Sequence, residues 1–182
     1  MIKRLIVFIM GLSLFILAGC SSASVNVKTK ENVLLTSAPA IKLSDPLSST
    51  LNEFEVQPGN YTWNYLNGKE TVSMIACGSH PLETAQNKEE KLKLLHSNEA
   101  GLALYTFSCV VEPDKIIVNE WDISQIGSTE TTVLSSTTYE DTFIIKFKPD
   151  RVYEIIATWD KENLETNGFH GEASYVVVTE KK

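Results

Sequence analysis

Along most of this 182-residue chain, apolar and polar side chains alternate with a period of two. Tyr61-Thr62-Trp63-Asn64-Tyr65 puts three rings on one face of an extended segment, because successive side chains of a strand point to opposite sides. Ala103, Tyr105, Phe107, Cys109 and Val111 repeat the pattern and place Cys109 on the apolar face. Phe143, Ile145 and Phe147 form a third set, with Lys146 and Lys148 opposite. Tyr153, Ile155, Ala157 and Trp159 form a fourth, with Glu154 and Thr158 turned outward. Segments 71–77, 115–121 and 173–179 are rich in the β-branched residues that suit a pleated, half-buried surface. Turn chemistry separates these stretches at Pro58-Gly59-Asn60, Asn67-Gly68, Pro113-Asp114, Pro149-Asp150 and Asn167-Gly168. The pattern predicts an all-β domain over 38–182, with eight or nine short strands in a β-sandwich; a closed barrel is the alternative.

One stretch breaks the alternation. His80 to Lys91 is polar with Pro81 near its start, which predicts a short helix after Pro81 or a solvated loop. Two details favour an immunoglobulin-like sandwich. Tyr153 follows the Pro149-Asp150 turn at the start of a strand and resembles a tyrosine corner, whose hydroxyl bonds back to the preceding connection. Trp121 ends the strand that follows the Cys109 strand, roughly where such folds place a core tryptophan. His170-Gly171-Glu172 reads as a turn between the last two strands.

The N-terminus has a different pattern. Lys3 and Arg4 precede an apolar run from Leu5 to Leu17, the length of a secretory signal core. It is shorter than the roughly 20 residues a membrane-spanning helix needs. The run ends in Leu17-Ala18-Gly19-Cys20, which resembles a bacterial lipobox. That resemblance implies cleavage after residue 19 and diacylation of Cys20, by palmitate-like chains, as the lipid anchor of the mature protein. Two acyl chains hold a protein stably on a bilayer at about 0.8 kcal/mol per buried CH₂. Residues 21–37 are polar and aperiodic, a tether with an r.m.s. reach of roughly 20–25 Å. The expected location is therefore the extracytoplasmic face of the cell membrane.

Charge narrows the partners. Removing residues 1–19 takes away two basic side chains and no acids, leaving 14 basic against 23 acidic, a net of −9. Such a surface has no electrostatic basis for holding nucleic acid. It leaves the bilayer, a cell-envelope ligand or a membrane protein as partners. Apart from Cys20, two cysteines remain, Cys77 and Cys109. In an exported chain an even pair suggests a disulfide, which would stabilise by ~3.7 kcal/mol in the chain-entropy estimate. Two separate buried thiols are the alternative.

Motifs for catalysis are missing: the chain has no G-x-S-x-G, S-x-x-K, H-E-x-x-H or P-loop, and no EF-hand. No cofactor is implied and the expectation is a non-enzyme. Cys77 and His80 have C-x₂-H spacing, and Cys109 and His170 would have to join them to make tetrahedral zinc. The competing reading has His80 as a loop residue capping nearby backbone groups. The rings of Tyr61, Trp63, Tyr65, Trp121, Trp159 and Tyr175 suit either a sugar-stacking face or, more simply, a sandwich core.

Three blocks carry a family resemblance: Gly59-Asn60-Tyr61-Thr62-Trp63-Asn64-Tyr65, Ser79-His80-Pro81-Leu82-Glu83, and Val152-Tyr153-Glu154-Ile155 through Trp159. They resemble a Gram-positive lipoprotein family with an extracytoplasmic β-sandwich domain. Similar segments are appended to antirepressor-type membrane metallopeptidases. The resemblance spans roughly 38–180 and implies a sensing or binding role, without a ligand or catalytic residues. The position of Cys77 is not a fixed cysteine in that pattern, so a disulfide would belong to this member alone. The leading expectation is a non-enzymatic binding or sensing module, with His80, Pro81, Leu82 and Glu83 as its candidate binding loop. A metal-handling or enzymatic lipoprotein using Cys77, His80 and Cys109 is the second reading, and a structural envelope protein the third.

Overall fold

The computed structural model describes residues 34–49 and 52–181. The signal segment, Cys20 and most of the tether lie outside the described residues. The elements run in the order β1 (Ile41–Ser44), β2 (Glu53–Val56), β3 (Tyr61–Asn67), β4 (Glu70–Ala76), α1 (Pro81–Gln86), β5 (Ala103–Ser108), β6 (Lys115–Asp122), β7 (Ser135–Tyr139), β8 (Ile144–Phe147), β9 (Arg151–Trp159), α2 (Glu162–Thr166) and β10 (Phe169–Val178). The strands form two antiparallel sheets, one in the order β2-β1-β5-β8 and the other β4-β3-β10-β9-β6-β7. This is an all-β sandwich, and the helix after Pro81 is present.

The four alternating segments form β3, β5, β8 and β9, with their apolar members facing the other sheet. Trp63, Tyr153, Trp159, Phe169 and Tyr175 of the larger sheet and Tyr105, Phe107, Ile145 and Phe147 of the smaller are all buried. Trp63 stacks on Phe169 at 5.2 Å and meets Trp159 edge-on at 5.1 Å. Phe147 crosses the gap to meet Tyr153 edge-on at 4.8 Å.

The polar tips of these buried rings hold the connections in place, as burial of an indole N–H or phenol requires. Trp63 Nε1 donates to the Leu35 carbonyl at 2.8 Å, Trp159 Nε1 to Val111 at 2.9 Å, and the Tyr175 hydroxyl to Pro39 at 2.7 Å. The Tyr105 hydroxyl donates to Lys93 at 2.6 Å. At Tyr153 the direction reverses: its oxygen accepts the Lys148 N–H at 2.8 Å, the backward bond of a tyrosine corner. Beside it Glu120, 6 % exposed, accepts from Lys148, Arg151 and Ser135, so an inward-facing carboxylate at the sheet end is fully partnered.

Three strands are not evident from alternation. β1 and β2 are four residues each, and β7 is a polar edge strand whose only partly buried residue is Tyr139. The His170-Gly171-Glu172 turn is corrected: these residues lie inside β10, paired with Asn64, Trp63 and Thr62. The turn sits earlier, at Gly168 with φ +79°. Gly171 is small because it pairs directly beside Trp63 of β3; a Cβ there would collide with the Thr62 carbonyl and lie 2.7 Å from the indole.

Trp121 is buried, but not between the sheets. It lies on the outer face of the larger sheet with Val152, Val176 and Val178, beneath Leu82 and Ala85 of α1. The place expected for it as a core tryptophan is filled by Trp63 and Trp159.

Candidate functional site

His80 is the N-cap of α1. Its Nδ1 accepts the Leu82 N–H at 3.3 Å, and its ring meets Trp121 edge-on at 5.9 Å. Pro81 and Leu82 are buried, which leaves His80 and Glu83 as the exposed members of the candidate loop. The segment closes the outer core, and its middle is not available for contact.

The disulfide expectation is corrected: both thiols are unbonded. Cys109 continues the inward face of β5, and its Sγ donates to the Val111 carbonyl at 2.8 Å among core residues. Burial pushes this thiol up to about 12. Cys77 follows β4 on the outer side of the larger sheet and is exposed. The larger sheet therefore separates the two sulfurs. It also separates Cys109 from His80, while His170 pairs with Asn64 on β3. Among the described residues no group of three or more His, Cys, Asp or Glu side chains converges on a metal position.

The six aromatic candidates serve packing. Trp63, Trp159 and Tyr175 are at most 1 % exposed, Trp121 is 4 % exposed, and Tyr61 and Tyr65 pack partly buried against the core.

What the fold does open is the part of the outer face that α1 leaves uncovered. There β3, β10 and β9 floor a hollow of about 430 Å³, walled by Ile75, Cys77 and Gly78 at the end of β4. Asn60 shapes this wall: its Oδ1 accepts the Gly78 N–H, and its Nδ2 donates to the Ser79 carbonyl at 3.3 Å. On the floor, Ser174 pairs with Ile156 across β10 and β9, and Glu172 pairs with Thr158 on one side and Thr62 on the other. Glu154 accepts from Asn119 Nδ2 at 3.2 Å and Glu172 from Thr158 Oγ1 at 3.4 Å. The hollow's lining has two carboxylates, hydroxyls, a thiol and two isoleucines, but no Lys, Arg or His.

Sequence reasoning turns Glu154 outward correctly but singles out neither Ser174 nor Glu172. Ser174 interrupts the otherwise apolar run Ala173–Val178, and that interruption is the available signal. A second hollow, of about 310 Å³, lies beside Asp45, Phe54 and Tyr105. Asp45 Oδ1 accepts the Leu47 N–H at 2.8 Å, and Oδ2 lies 2.6 Å from His96 Nδ1. Burial alone would raise this carboxyl; its hydrogen bonds to His96 and Leu47 and the imidazole charge outweigh that and hold it below the ordinary carboxylate value. Both oxygens are engaged, so the pair reads as structural.

Among the described residues no helix is long and apolar enough to cross a membrane. Comparison with protein families, with curated proteins and with solved structures finds no match.

Proposed function

We propose that this chain is a lipid-anchored extracytoplasmic protein whose sandwich, carried on a short tether, acts as a non-enzymatic binding or sensing module. The observation that carries the anchoring is the N-terminal order of two cations, an apolar run from Leu5 to Leu17 and Leu17-Ala18-Gly19-Cys20. The contact surface in this reading is the open part of the larger sheet's outer face, a rigid floor beside the β4–α1 connection. What favours a binding reading is the hollow on this face, where Glu154, Glu172 and Ser174 stand beside Ile156. The back-bonded Tyr153 supports the immunoglobulin-like label.

Anchoring is tested by mass spectrometry of the N-terminal peptide from membrane fractions. A peptide beginning at diacylated Cys20, lost in Cys20→Ala, is expected; an unmodified N-terminus elsewhere would sink the reading. Binding is tested by thermal shift of the full chain in detergent against cell-wall fragments, glycans, amines and metal ions. A ligand at 100 times its Kd stabilises by ~2.7 kcal/mol, a shift of several degrees for a domain of this size.

A further inference from the structure

Ser174 is 7 % exposed, and among the described residues its hydroxyl has no hydrogen-bond partner. Buried hydroxyls are normally paired within the protein or by water. Among the described residues no buried side-chain oxygen is both sealed from solvent and unpaired, so this one opens onto the hollow it lines. It points a polar atom at whatever occupies that space.

The register supplies the rest of the pattern. Ser174 faces Ile156; Glu172 lies two residues before Ser174 on β10, and Glu154 two residues before Ile156 on β9. Because the strands are antiparallel, the two glutamates flank the Ser174–Ile156 pair from opposite ends. At about 3.3 Å per residue their backbones are about 13 Å apart along the strands. Among the described residues neither glutamate forms an ion pair; their partners are the neutral Asn119 and Thr158. Lys161 lines the adjoining hollow with Glu172, yet makes no ion pair with it. Ile156, paired with Ser174, provides the apolar stretch between the charges; Ile75, which is 70 % exposed, stands level with Glu172 across β3 and walls the hollow at its side.

Resting on the binding-module reading above, we infer that this hollow is a site for a linear aliphatic polyamine. Its terminal ammonium groups pair with Glu154 and Glu172, its methylenes lie on Ile156, and a central amine N–H donates to Ser174 Oγ. A single ammonium would satisfy one end only. A divalent ion would find the two carboxylates too far apart to share it.

The test is calorimetric titration of the full chain in detergent with spermidine, beside butylamine as a one-ended probe. Each charge-assisted hydrogen bond contributes about 1.5–3 kcal/mol, so Glu154→Gln and Glu172→Gln should each weaken spermidine at least about tenfold. Ser174→Ala should weaken it by a smaller factor, and Glu140→Gln, an exposed carboxylate outside the hollow, should leave it unchanged. Butylamine should bind at least about tenfold more weakly than spermidine. Bound spermidine should also slow alkylation of Cys77 by iodoacetamide, a readout that needs no variant. Spermidine affinity indifferent to both glutamate changes, equal binding of butylamine, or no binding at millimolar spermidine would each overturn the amine assignment. If amines fail while Cys20 is acylated and another ligand shifts Tm, the module reading stands; if neither holds, both fall.

Discussion

The two faces of the larger sheet are built from alternate residues of the same strands, yet they have opposite character. The inner face carries Trp63, Tyr153, Ala157, Trp159, Phe169 and Tyr175, all at most 1 % exposed. The outer face carries Thr62, Glu154, Ile156, Thr158, Glu172 and Ser174, and among the described residues α1 covers its end near Trp121. The difference teaches what each face is for. Inner positions are set by packing, so even their polar tips are used to hold the chain's own connections. On the uncovered outer face the two glutamates meet only neutral partners, and among the described residues the Ser174 hydroxyl has none.

The largest expected effect is at the centre of the inner face. Trp63→Ala should cost about 3–5 kcal/mol, by analogy with other large-to-small core changes. Its neighbour in sequence, Thr62→Ala on the open face, should stay within about 0.5 kcal/mol. Urea unfolding of the two variants checks the contrast, and equal losses would erase the distinction between the faces. Next comes the covered end of the outer face. Leu82→Ala should cost about 2–3 kcal/mol, because Leu82 is 2 % exposed over Val152 and Val176. A loss as small as that of Thr62→Ala would mean that α1 merely rests on the sheet.

The cysteines sharpen the comparison by reactivity. With Cys20→Ala in the full chain, one thiol should react quickly with a disulfide reagent at pH 8, and Cys77→Ser should abolish that phase. Cys109, held protonated by burial, should react only on unfolding. No reactive thiol before reduction would instead mean that the two are bonded.

The smallest effect concerns charge on the closed side. Asp45 has a folded value below its unfolded one, near 3.9, so its contribution is fully present above the unfolded value and is lost as pH falls through the folded value. The stability difference between the native chain and Asp45→Asn should therefore be level near pH 5 and shrink as pH falls below the unfolded carboxyl value. A difference that grows on acidification would refute the ion-pair account of Asp45 and His96.

Much of the fold is legible in the order of residues. Alternation in Tyr61–Tyr65, Phe143–Phe147 and Tyr153–Trp159 dictates strands and an inner face, because the side-chain period of a strand is a local property of the backbone. Pro81 after a capping residue marks α1 for the same local reason. The short polar strand β7 is invisible to such a reading because it is an edge, held by pairing with β6 and carrying almost no buried surface. Of the candidate site, only the outward turn of Glu154 is legible, since the hollow exists by virtue of three strands meeting.

What the sequence by itself determined is therefore the all-β class and the direction in which Glu154 and Cys109 point. Only the tertiary structure decided which face would be covered, and with it the fate of the candidate residues. Trp121 went outside under α1, Cys77 and Cys109 were separated by a sheet, and Ser174, Glu154 and Glu172 were brought together across two strands. The reason is physical: periodicity records whether a side chain alternates, but covering a face depends on contacts between residues far apart in the chain. Leu82 packs in one cluster with Val176, and Gly171 lets β10 lie close beside Trp63 of β3, and neither contact is written in any local pattern.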